Sequence, residues 1–127
     1  LKAVLLDTHA WAWSLAGDER LSHKAKSAIT GAESVLVSPI SFYEIGQKVR
    51  RGKWPEMEPF VARLPALVEA QGGRMADLDG PICLNAATMD WAHRDPFDRL
   101  LAATALRRDL PIISADGVFD AVVSRVW

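Results

Sequence analysis

Only one cysteine, Cys83, occurs in the 127 residues. An internal disulfide is excluded, and so is a zinc site built on paired thiolates. The expectation for this lone thiol is a small buried apolar residue, in keeping with a reducing cytoplasm, since no histidine or cation adjoins it in sequence to make it reactive. The three histidines, His9, His23 and His93, are dispersed and offer no zinc-ligand spacing. No apolar run is long enough to span a bilayer, and no cationic leader precedes a cleavage-like site; the expected location is the cytoplasm, with no membrane partner. There is no glycine-rich phosphate loop, so no nucleotide cofactor is expected, and no Gly-x-Ser-x-Gly elbow of a serine hydrolase. Repeats and low-complexity tracts are missing too. Charge of one sign is not in excess either: 15 Lys and Arg stand against 16 Asp and Glu.

What the chain does have is apolar content, 50% of its residues, enough for a single domain over 1–127 with a substantial core. Ala3-Val4-Leu5-Leu6 reads as a buried strand ending at Asp7-Thr8. His9 to Leu15 reads as a helix capped by Thr8 and ended by Gly17. On such a helix Trp11 and Trp13 cannot share a face, so one is expected to be partly exposed. Ser22 caps a helix through Thr30. Val35-Leu36-Val37 is a second strand, leading through Ser38-Pro39 into a helix that carries Glu44 in its first turn and closes at Gly52 and Pro55. Pro59 opens a helix towards Gln71, with Pro65 a kink or break. After the Gly72-Gly73 turn, Arg74 to Leu78 is a weak third strand. A helix follows from Asp79-Gly80-Pro81 to about Trp91.

The stretch from Arg94 to Ala103 is a well-marked helix start. Asp95 caps it, Pro96 suits its first position, and Asp98 sits in the first turn, where the helix dipole favours negative charge. The helix runs to about Arg108. Leu110 to Ser114 is a fourth strand, ending at Ala115-Asp116-Gly117. Val118 to Val123 is a short helix or turn, and Arg125 to Trp127 a last edge strand.

Strands alternating with helices give an α/β fold with a parallel sheet of four to five strands. Strand direction then gathers the acids. Asp7 and Asp116 follow strands; Glu44 and Asp98 begin helices that start where strands end. All four therefore lie at the carboxyl edge, where such folds place their ligands. Each acid alone has an ordinary structural explanation: a cap at Asp7-Thr8, capping boxes at Ser41-x-x-Glu44 and Asp95-x-x-Asp98, a turn at Asp116-Gly117. Four together repel one another unless a divalent cation compensates them, and oxygen-only ligands favour Mg²⁺ or Mn²⁺. With those four set aside the remaining surface is modestly basic. Its clusters are Lys48-Val49-Arg50-Arg51-Gly52-Lys53 and Arg107-Arg108, which suit either a phosphate backbone or the dipole at two helix ends. His9 and His93 fall near the same edge, as surface or capping residues or as contacts to a ligand or phosphate.

Leu5-Leu6-Asp7-Thr8-His9, Ser41-Phe42-Tyr43-Glu44-Ile45, His93 to Ala103 and Ile113-Ser114-Ala115-Asp116, in this order and at this length, resemble the PIN-domain family. More narrowly they resemble VapC-type toxins of bacterial toxin–antitoxin systems. The resemblance spans nearly the whole chain, apart from a middle stretch of roughly 54–80 that carries no family signature. It implies a three-layer α/β/α sandwich and a metal-dependent ribonuclease. It makes Asp7, Glu44, Asp98 and Asp116 the catalytic and metal-binding acids, with Thr8 and Ser114 as supporting hydroxyls and Asp95 supporting as the helix cap. It also implies a cognate antitoxin and a homodimer. On this reading Asp7 and Asp98 bind the ion directly, and Glu44 and Asp116 bind it, or a second ion, directly or through water. Arg99, Arg50, Arg51 and Lys53 hold RNA. Two alternatives remain open at this point: a phosphotransfer domain that uses Asp7, and a domain that binds RNA or protein without chemistry. The first lacks the Asp-x-Asp of a haloacid-dehalogenase-like site and a lysine at the last strand.

Overall fold

Ala3-Val4-Leu5-Leu6 is apolar at every position because both of its faces are covered. In the structure, a computed structural model describing residues 2–127, this segment is β1 (Ala3–Leu6), the middle strand of a five-stranded sheet. On one side lie β2 (Ser34–Val37) and then β3 (Arg74–Met75); on the other lie β4 (Ile112–Ile113) and then β5 (Arg125–Val126). Every pairing is parallel. Leu5 stands beside Leu36 and Ile112, and Leu6 beside Val37 and Ile113.

The two-residue period of a strand sends neighbours to opposite layers. Val4 and Leu6 pack with Ala10, Trp11, Ile45, Met57 and Leu64. Leu5 and Ile112 pack with Leu101, Ala102, Ala105 and Phe119. The first layer takes α1 (Thr8–Ala16), α2 (His23–Gly31), a 3₁₀ segment (Pro55–Arg63) and α4 (Leu64–Ala70). The second takes α6 (Pro96–Arg108), with α5 (Gly80–Thr88) laid against it through Ile82, Ala86 and Ala103. Helix α3 (Pro39–Arg50) sends Phe42, Ile45 and Val49 into the first layer and Ile40 into the second. The result is the expected α/β/α sandwich. Three of its five strands are only two residues long and make few ladder bonds. Core burial therefore carries more of the cohesion, at roughly 2 kcal/mol for each fully buried Leu or Ile.

Several local expectations change. Thr8 is not the cap of α1: Asp7 is, its Oδ1 accepting the Ala10 N–H at 2.8 Å. Ser38, not Ser41, caps α3, so Glu44 lies in the second turn and the capping box at Ser41 does not form. The 59–71 helix is split. A 3₁₀ segment absorbs Pro55 and Pro59, and Pro65 falls in the first turn of α4, where its missing N–H costs nothing. The third strand shrinks to Arg74–Met75, and α5 ends at Thr88, short of Trp91. Cys83 is exposed, contrary to expectation, because α5 turns Ile82 and Ala86 inward and Cys83 and Leu84 outward. The helix at 8–16 does form and ends at Gly17 with φ of 63°. It buries Trp11, which stacks on Phe42, and leaves Trp13 half-buried.

Candidate active site

Asp7 leaves β1 and at once caps α1, which fixes its carboxylate at the carboxyl edge, only 7% exposed. Burial pushes this carboxyl up to about 6, and the charges of Asp98 and Glu44 push the same way. The Ser114 hydroxyl and the Ala10 N–H oppose them by stabilising the charged form. Ser114 follows β4, is fully buried, and accepts the Asp116 N–H at 3.0 Å. It thus anchors the Asp116 loop beside the Asp7 carboxylate.

Glu44 is also 7% exposed and is met by Lys48 Nζ at 3.1 Å, one helical turn on. Asp98 is in the first turn of α6, where Asp95 Oδ1 accepts the N–H groups of Phe97 and Asp98 at 2.8 and 3.1 Å. Asp95 is the cap, which frees the Asp98 carboxylate to meet His93 Nε2 at 2.7 Å. Burial raises the Asp98 carboxyl above its ordinary value; His93 pulls it back, and Asp95 and Glu44 push it further. Asp7, Glu44 and Asp98 therefore share one electrostatic field. Asp116 stands apart from it. It is exposed, its Oδ1 accepts the Val118 N–H at 3.0 Å, and its charge acts on His9 and Arg125 rather than on Asp7.

These donors suit a hard divalent cation in kind: all are carboxylate oxygens, and Asp7 and Asp98 are pushed up by burial and by neighbouring negative charge. In arrangement they are less complete than expected. Among the described residues no three Asp, Glu, His or Cys side chains are gathered as a ligand set. All four acids lie at one edge, but only Asp7, Glu44 and Asp98 share a field, with Lys48 paired to Glu44 and His93 to Asp98.

The model of the PIN-domain family matches residues 4–124, nearly the whole chain and all four acids. The chain belongs to the PIN-domain family. Among curated proteins, Ribonuclease VapC22 of Mycobacterium tuberculosis (strain ATCC 25618 / H37Rv) is 28% identical over 117 residues, covering 91% of this chain and 88% of that one. FitAcB from Neisseria gonorrhoeae superimposes with a TM-score of 0.68 at 21% identity, over 96% of this chain and 95% of that one. VapBC2 from Rickettsia felis, bound to a DNA fragment from their promoter, gives 0.65 at 11% identity, over 97% and 96%. Mycobacterium tuberculosis VapC20, described as a sarcin-ricin loop cleaving toxin, gives 0.61 at 19%, over 93% of each chain. The solved structures support the fold of this PIN domain.

The remaining candidates of this PIN domain divide by their partners. Thr8 is buried and its hydroxyl pairs with Ser41 Oγ at 2.9 Å, joining the starts of α1 and α3. Arg99 is half-buried. Its guanidinium bonds four main-chain carbonyls, those of Ala86, Met89, Trp91 and His93, at 2.6 to 2.8 Å. That uses its planar fork to fasten the end of α5 and the loop carrying His93. Arg50 and Arg51 are exposed at the far end of α3, roughly 9 Å along the axis beyond Glu44. Lys53 turns back towards His9 and Lys48. The pairing of Lys48 with Glu44 has a signal in the sequence, the i,i+4 spacing on one helix face. The pairing of His93 with Asp98 had no such signal, since His93 lies in the loop ahead of α6.

Proposed function

We propose that this PIN domain is a metal-dependent endoribonuclease and the toxin of a toxin–antitoxin pair. The observation that carries the proposal is Asp7, Glu44 and Asp98 at one carboxyl edge, where Asp7 and Asp98 are both pushed up by burial and by the charge of Glu44. A fold keeps such a trio when a bound cation relieves it. The similarity to a protein named as a ribonuclease supports RNA as the substrate.

Asp7 and Asp98 would hold Mg²⁺ or Mn²⁺ directly, with Glu44 and Asp116 as further ligands, through water or directly, of the same or a second ion. Such an ion supplies charge neutralisation at the scissile phosphate and activation of water at neutral pH. The chain supplies the rest. Ser114 orients the Asp7 carboxylate, and its bond to the Asp116 N–H fixes where that acid enters. His93 sets the rotamer of Asp98, and Asp95 fixes the backbone beneath it. Lys48 balances Glu44 until the site is loaded. VapBC2 and FitAB were each solved bound to DNA. Their likeness supports a cognate antitoxin for this chain, and a homodimer goes with that reading.

The test is cleavage of a labelled RNA with and without EDTA, for the parent and for Asp98→Asn. Cutting is expected only for the parent and only with the metal. Equal rates for the two proteins would end the proposal. Phosphate transfer to Asp7 would select the phosphotransfer reading instead.

A further inference from the structure

A groove of about 290 Å³ opens beside the acids, lined by His9, Trp13, Arg20, Lys48, Lys53 and Trp54. Its floor is aromatic. His9 is exposed and stacks on buried Trp54, with centroids 4.7 Å apart and planes at 29°. Trp13 meets the same imidazole at 5.6 Å, tilted by 59°. Its walls are cationic. Lys48 Nζ lies 5.4 Å from the centre of the Trp54 ring, and Arg20 lies 5.1 Å from that of Trp13. Lys53 is exposed and takes part in no ion pair among the described residues. One acid, Glu56, lines the groove against three cations, of which Arg20 is paired with Asp18 and Lys48 with Glu44. The groove joins the acidic edge at two points: His9 is two residues past Asp7, and Lys48 pairs with Glu44.

We infer that this groove is a nucleotide subsite, in which an unstacked base of single-stranded RNA lies on the exposed His9 ring while the adjoining phosphate meets Lys48 and Lys53. This rests on the ribonuclease reading and adds how the substrate is held. A flat ring backed by a second flat ring is a rigid platform for any base, and cations at its rim follow the backbone. An acidic protein segment would use the cations and waste the platform, so a nucleotide fits the groove better. The platform is next to the acids, so a base seated on it delivers a neighbouring phosphodiester to them.

The experiment measures binding of single-stranded A and U hexamers, and of a hexamer carrying abasic sugars, in an Asp98→Asn background with Mg²⁺ so that the RNA survives. His9→Leu should weaken the hexamers roughly tenfold, as expected for losing one stacked base, and leave the abasic strand unchanged. His9→Phe should restore binding, which a general loss of folding would not allow. Lys53→Ala should lower the slope of log affinity against log salt by about 0.7, one phosphate contact on a single strand. Parental affinity and slope in His9→Leu and Lys53→Ala would overturn the subsite and leave the ribonuclease standing. Tighter His9-dependent binding of a hexaglutamate peptide than of the hexamers would overturn it in favour of a protein partner. Undiminished cutting by Asp98→Asn itself would remove both readings together.

Discussion

Asp7 does two jobs that pull in opposite directions. As the cap of α1 it needs only an oxygen for the Ala10 N–H; as a carboxylate it is buried beside two other acids. Folding raises its carboxyl from the ordinary 3.8 to about 6. Between those values the folded chain keeps a proton that the unfolded chain has lost. Without metal, stability should therefore fall as pH rises through that window and level off above it. The size is up to roughly 3 kcal/mol, from about two pKa units. Asparagine caps a helix as well as aspartate does. Asp7→Asn should consequently flatten the profile and raise the melting temperature at neutral pH in EDTA, while abolishing cleavage. Thermal melts from pH 4 to 8 check this, and a lower melting temperature at neutral pH would show the cap to matter more than the charge.

Among the elements, the segment from the end of α5 to the start of α6 depends most on a single side chain. Arg99 collects four carbonyls from a stretch that makes no sheet pairing, and one of them belongs to His93. Lysine offers a single ammonium in place of a planar fork. Arg99→Lys should cost about 2 kcal/mol in urea denaturation, since part-buried carbonyls lose charged donors. It should also lower the cleavage rate, because His93 would no longer hold Asp98. A variant that binds RNA less tightly but keeps its stability and rate would return Arg99 to the role expected from sequence.

Element starts were legible where the signal was local. Asp95-Pro96 announces α6 because a cap and a proline act within one turn. Ser38 and Ser41 could not be separated by pattern, since each precedes a helical run and only the end of β2 decides between them. The break expected at Pro65 is there, since a proline suits the first turn of a new helix, but the 3₁₀ geometry of 55–63 ahead of it had no local signal. Cys83 misled because its face on α5 is set by packing on α6.

On the scale of the whole molecule, the meeting of the acids at one edge was readable, because in a parallel sheet direction alone decides which ends come together. Their side-chain partners were not. Lys48, His93 and Ser114 meet the acids through rotamers and loop paths that no spacing rule fixes, apart from the i,i+4 step to Lys48. The platform of His9 on Trp54 escaped for the same reason, as it joins residues 45 positions apart through the stretch without a family signature.

β1 pairs with β4 across more than a hundred residues, and β2 with β3 across the loop at Gly72-Gly73. A cut at that loop would give one piece with Asp7 and Glu44 and another with Asp98 and Asp116. If the chain is the proposed toxin, neither piece should harm a cell that makes it alone, and co-expression should bring back toxicity as the strands find each other. The gene would then behave as a two-key lock, readable from colony growth.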